Sequence, residues 1–174
     1  MRRLKYAYRQ PGRQRLLTAI VISFICVLFL PAAGCGAGGA GQPAFTLDVA
    51  EAGQRLYQEL EFRDQLEELN PVVVYTLLGI DESHVAAQKN YFGSGATAEE
   101  VVVLQAVDQE ALQQLRFALE ARLETQIDIY ADYAPEEVSY LRGAVLEEKD
   151  VYIILCVAAD ADAAARLVGE LFAE

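Results

Sequence analysis

The chain has 174 residues, 53% of them hydrophobic, and a net charge of −12 that hides a strong asymmetry. All 26 acidic residues follow Cys35, whereas only eight of the 14 basic ones do, so the part after Cys35 stands at −18. A charge of that sign and size repels phosphate backbones and anionic lipid surfaces, which excludes nucleic acid as a partner.

The first fifteen residues carry Arg2, Arg3, Lys5, Arg9, Arg13 and Arg15 and no acid, and Leu16 to Leu30 is almost wholly apolar. This is the basic-then-apolar pattern of a secretory signal. As a helix the apolar run spans about 22 Å, short of the ~30 Å hydrocarbon core of a bilayer. The basic flank is expected to stay in the cytoplasm and the remainder to be exported. Pro31 closes the run, and Ala33 and Gly34 lead into Cys35. These residues resemble the lipobox of bacterial lipoproteins, with Ala32 where leucine is usual. The resemblance implies lipidation of Cys35 with palmitate-type acyl chains, and cleavage that makes it the mature N-terminus. Residues 1–34 are thus expected to be a signal helix that is removed. Residues 35–47, with Gly36-Ala37-Gly38-Gly39-Ala40-Gly41, are expected to be a flexible tether with a reach of about 15–20 Å. Residues 48–174 then form a single domain.

Asp48 predicts an N-cap, and Val49, Ala52, Leu56, Leu60, Leu66 and Leu69 give helical spacing to about residue 69, with a break near Phe62 and Asp64. Asn70-Pro71 followed by Val72-Val73-Val74 sets two rules against each other. The β-branched run favours a strand, but an Asn cap, Pro at the first position and Gly79 after the end favour a short helix. The helix is preferred. Residues 85–92 and 101–107 read as strands joined by a turn at Gly93-Ser94-Gly95-Ala96-Thr97. Asp108 predicts a cap for a long helix from Gln109 to about Ile129, with Leu112, Leu115, Leu119, Leu123, Ile127 and Tyr130 as its core stripe. A short helix restarts after Tyr133-Ala134-Pro135 and ends at Gly143. A hairpin pairs 144–146 with 151–158, with Glu147-Glu148-Lys149-Asp150 at its tip. Its second strand is apolar enough to be covered on both faces. Asp160 or Asp162 caps a last helix that runs to Phe172. The fold class is α+β: an antiparallel sheet of about four strands with helices packed on it.

No residue pattern asks for a metal or a cofactor. His84 is the single histidine, and no Cys/His spacing accompanies it. Asp160-Ala161-Asp162 lacks the glycine and glutamate of a calcium loop and is better read as a helix cap. Gly93-Ser94-Gly95 opens no helix and is followed by no lysine, so it is not a phosphate cradle. Cys156 lies in an apolar run and reads as a buried small hydrophobe, since Cys26 belongs to the leader and Cys35 to the lipobox, leaving no disulfide framework. Glu120, Glu124, Asp128 and Asp132 recur at i, i+4 on the long helix. That is a solvated face or, in the enzyme reading, an acid–base pair at Asp128 and Asp132.

The most distinctive segment runs from Arg122 to Glu137. Arg122, Gln126 and Tyr130 fall one above another on the helix, and Tyr133 and Pro135 follow at its end. An acid pair precedes a strand at Glu99-Glu100-Val101, an Arg-Leu-x-x-Gln helix stands at Arg122–Gln126, and a Tyr-x-Pro-Glu turn at Tyr133–Glu136. With the Tyr-containing strand Val151-Tyr152-Ile153, the chain resembles an uncharacterised family of short bacterial lipoproteins, a domain of unknown function. Lys149-Asp150 stands where a glycine turn is commoner. The resemblance implies an extracytoplasmic, lipid-anchored location and no assigned activity. From the residues, Arg122, Gln126, Tyr130, Tyr133 and Pro135 are either a polar cluster pinning helix to turn or a ligand site. The functional expectation is a non-catalytic binding or accessory domain tethered by its lipid. The alternatives are a small carboxylate enzyme or a subunit of a membrane complex anchored by residues 16–34.

Overall fold

The computed structural model describes residues 45–174. The signal segment, Cys35 and most of the Gly/Ala tether lie outside the described residues.

A four-stranded antiparallel sheet divides the domain into two helical layers. Its strands are β1 (Val85–Phe92), β2 (Glu100–Ala106), β3 (Val145–Lys149) and β4 (Tyr152–Val157), in spatial order β1-β2-β4-β3. The helices are α1 (Val49–Glu59), α2 (Pro71–Leu78), α3 (Gln109–Tyr133), α4 (Glu137–Arg142) and α5 (Ala161–Leu171). The α+β class and the four strands agree with the sequence reading. Strand alternation sorts the core. Val101, Val103, Tyr152, Ile154 and Cys156 face α1 and α5, while Val102, Leu104, Ile153, Leu155 and Val157 face α2, α3 and α4. Both central strands are therefore apolar on successive residues, and every residue of β4 is buried.

Helix starts follow the capping rule. Asp48, Asn70, Asp108 and Asp160 each accept a backbone N–H from the first turn, at 3.0, 3.0, 2.8 and 2.9 Å. Asp160 rather than Asp162 takes that role in α5. The conflict over residues 71–78 resolves as a helix, which Gly79 ends in the left-handed conformation at φ 66°. The stripe on α3 buries Leu112, Leu115, Leu119 and Tyr130, with Leu123 and Ile127 half-buried, and the helix extends to Tyr133.

Two expectations are corrected. The first helix stops at Glu59, and residues 60–70 are irregular apart from a bridge between Glu67 and Phe92. Distant side chains capture the backbone there. The Leu69 N–H donates to Asn90 Oδ1 at 3.0 Å, and Asn90 is fully buried. The hairpin tip is not Glu147–Asp150. Strand β3 continues through Glu147, Glu148 and Lys149, each paired with β4, and the chain reverses at Asp150-Val151 with Asp150 at φ 55°. Those charged residues belong to an edge strand, where charge is tolerated and discourages further pairing.

Phe45, at the start of the described chain, packs edge-on against Tyr152 and Phe172, with ring centroids 5.7 and 5.9 Å apart. Lys149 Nζ lies 3.9 Å from its centroid. The chain thus enters the domain on the α1/α5 layer.

Candidate functional site

Glu99 and Glu100 are adjacent, both buried, and on opposite faces of the strand end. A buried carboxylate is tolerated only when paired and hydrogen-bonded. Each has its own arginine.

Glu100 faces α3. Arg122 Nε donates to both of its carboxylate oxygens, at 3.0 and 3.1 Å, and Nη2 donates to Oε2 at 2.5 Å. Nη1 donates to the Leu77 carbonyl at 3.3 Å, and the guanidinium lies 5.4 Å from the Phe92 ring centroid. The side chains of Arg122 and Glu100 are 12% and 2% exposed. One arginine therefore ties α3 to the sheet and to the C-terminal end of α2.

Glu99 captures the irregular segment. It accepts the Arg63 N–H on both oxygens, at 3.0 and 2.9 Å, and the Asp64 N–H at 2.9 Å. Arg63 Nε adds a bond at 3.2 Å, as does the Thr97 hydroxyl. The guanidinium of Arg63 then continues to Glu137, with a fork of 2.8 and 2.7 Å, while lying 4.0 Å over the Tyr140 ring. The Arg63 hydrogen bonds, helped by the Ala98 N–H, hold the Glu137 carboxyl below the usual range, against the opposing effect of burial. Sequence reasoning missed Arg63 and Glu137; the acid pair Glu99-Glu100 was visible as a motif, whereas the motif glutamate after Pro135 is the exposed Glu136, one residue short of the buried Glu137.

The β1–β2 loop is fastened to α3 by hydroxyls. Tyr130 donates to the Thr97 carbonyl at 2.5 Å and to that of Gly95 at 3.2 Å, and Tyr133 donates to Gly95 at 3.0 Å. Burial pushes the Tyr130 phenol well above its ordinary value. Asp64 accepts the Ser94 N–H and hydroxyl at 2.7 and 2.6 Å, and the hydroxyl holds Asp64 below the usual carboxylate range. The Ser94 amide that a phosphate would need is already bound to a carboxylate.

Between α2, this loop and α3 runs a groove of about 700 Å³. Arg122, Gln126 and Tyr130 all line it, as their helical spacing requires. Its walls are otherwise mainly apolar, with Leu77, Phe117 and Ile129 at the mouth, 44%, 71% and 50% exposed. Tyr133 is exposed and reaches the loop, and exposed Pro135 sets the turn into α4 without lining the groove. Every charged side chain on the wall, Glu99, Glu100 and Arg122, is closed in an internal ion pair. Gln126 is half-buried and makes no hydrogen bond among the described residues.

The other candidates disperse. Asp128 and Asp132 are exposed and do not line the groove, so the geometry gives them no acid–base partner. His84 ends a short 3₁₀ turn, Glu82–His84. Cys156 is buried in the core, and burial, reinforced by Glu100 and Glu99, pushes its thiol up to about 12, far from a reactive thiolate. Among the described residues no three His, Cys, Asp or Glu side chains are grouped to hold a metal ion. No helix among them is long and apolar enough to cross a membrane.

Fold and site together define a small three-layer α+β domain, braced by two glutamate–arginine networks and carrying a broad groove on its α2/α3 layer. Residues 63–158 match DUF4358, a domain of unknown function, and the chain belongs to that family. The match covers the sheet, α2, α3 and α4 and both ion networks, but not α1 or α5. No curated protein and no solved structure matches the chain.

Proposed function

We propose that this protein is a membrane-tethered extracytoplasmic lipoprotein whose folded domain is non-catalytic and works by binding a partner. The observation that carries the binding role is the charge state of the groove. A catalytic cleft keeps an acid, base or nucleophile free toward the substrate. Here Glu100 and Arg122 are closed on each other and Glu99 on Arg63, which leaves mainly apolar walls and the Gln126 amide as the recognition surface. The basic leader, the apolar run and Ala33-Gly34-Cys35 support the tether, and the charge of −18 after Cys35 supports a domain that stands off an anionic membrane. Phe45, the first described residue, packs on the α1/α5 layer, and the groove lies on the other layer.

Mass spectrometry of the N-terminus of the native protein tests the tether. The expected species begins at a diacylglyceryl-modified Cys35. An intact chain beginning at Met1 would overturn it in favour of a signal-anchored subunit.

A further inference from the structure

We propose that the groove between α2 and α3 docks a basic, amphipathic segment of a partner protein. This rests on the binding role argued above and names the chemistry of the partner.

Three observations converge on that occupant. The first is shape. The groove is a trough open to solvent, and Phe117 and Ile129 mark off about 18 Å of α3 along it. That is three turns of a docked helix or some five residues of extended chain, a length suited to a polypeptide segment. The second is surface chemistry. Leu77, Phe117 and Ile129 expose apolar area on both walls, while Gln126 offers a donor and an acceptor with no partner among the described residues. An amide of that kind complements a peptide group.

The third is charge. The groove's one cation is Arg122, and Glu100 already neutralises it. On the outer face of α3, Glu124, Asp128 and Asp132 are all exposed, and helical spacing places Asp128 and Asp132 beside Ala121 and Thr125 of the groove wall. An anionic ligand would meet a domain at −18 with no free cation in the trough. A segment with apolar residues on one side and lysines or arginines on the other would bury the first and set the second against the acidic flank.

The test uses fluorescence anisotropy on the full chain in detergent with two labelled peptides of about 15 residues. One places leucine at helical spacing with lysine elsewhere, and the other has the same pattern with glutamate. The lysine peptide is expected to bind at least about tenfold more tightly than the glutamate peptide. The double variant Phe117→Ser/Ile129→Ser leaves the charge unchanged and alters only exposed side chains, and is expected to lose about tenfold or more of that affinity. Val107→Ser, exposed but outside the groove, is expected to change nothing. Equal affinity in Phe117→Ser/Ile129→Ser would mean that net charge alone holds the peptide, and would overturn the proposal. So would equal binding of both peptides, or no binding. A failure here alongside a lipidated Cys35 would remove this docking site and leave the tether standing.

Discussion

At the scale of single residues, the domain depends on charges placed where charges are costly. Arg122 and Glu100 are nearly sealed from water, so removing one partner strands the other. Arg122→Met is expected to destabilise the domain by about 3 kcal/mol, the cost of an uncompensated buried carboxylate. Adding Glu100→Leu removes that carboxylate, and the double variant is expected to recover most of the loss, as urea midpoints would show. If the pair acted only by gripping a ligand, stability would be untouched by either change. Glu137 gives a pH signature. Its folded-state proton affinity is lowered chiefly by the Arg63 side chain. It therefore contributes stability above the unfolded carboxylate value of about 4.3, and that contribution disappears as pH falls through the folded value. Urea melts from neutral pH down to about pH 2.5 should show a shallower acid decline for Glu137→Gln than for the unaltered chain; parallel curves would refute the assignment.

At the scale of elements, backbone conformation decides the sign of several changes. Gly79 and Asp150 both occupy left-handed positions. An alanine at Gly79 meets no neighbour, yet is expected to cost about 1 kcal/mol through φ alone. Asp150→Gly should run the other way, by about 0.5 kcal/mol, because relief of φ exceeds the added entropy of the unfolded chain, and because Asp150 Oδ2 is buried without a hydrogen-bond partner. Gly53 lies inside α1, where alanine ordinarily gains about 1 kcal/mol. Here its Cβ would stand 2.5 Å from Lys89 Cγ on β1, so Gly53→Ala is expected to lower the melting temperature. The same elements show what was legible in the sequence. Caps and apolar periodicity are local, and they located α2, α3, α5 and the strands β1, β2 and β4. Residues 60–70 misled because Leu66 and Leu69 keep helical spacing while Glu99 and Asn90, far away in sequence, hold the backbone. Glu147-Glu148-Lys149 looked like a turn because an edge strand and a turn both favour polar residues. At the site, Arg122, Gln126 and Tyr130 stood out by spacing and Tyr133 by its turn motif, but Arg63 had no local signature, since its partners lie 36 and 74 residues away.

At the scale of the whole molecule, the sheet separates two layers. The α1/α5 layer receives the chain at Phe45, and the α2/α3 layer holds the groove. The family match ends before α5 and begins after α1, so the matched segment alone would leave Val101, Val103, Ile154 and Cys156 facing water. In this chain α1 and α5 cover that face, and Phe45 packs on it with them. Six of the eight cations after Cys35 are already committed, five in ion pairs and Lys149 at the Phe172 carbonyl. The domain therefore has no cationic patch with which to hold a lipid surface. A fragment of residues 45–174 is expected to stay in the supernatant when spun with phosphatidylglycerol vesicles or with phosphatidylcholine vesicles, at low salt and at high salt alike. Attraction to an anionic bilayer grows by about 1 kcal/mol for each free surface cation and is screened by salt, and this domain opposes it with excess acid. Co-sedimentation with the anionic vesicles at low salt, abolished by salt, would place a basic face on the domain and make the proposed lipid on Cys35 unnecessary for attachment. Retention in the supernatant would agree with the proposal that attachment, where it occurs, is not made by the surface of the folded domain.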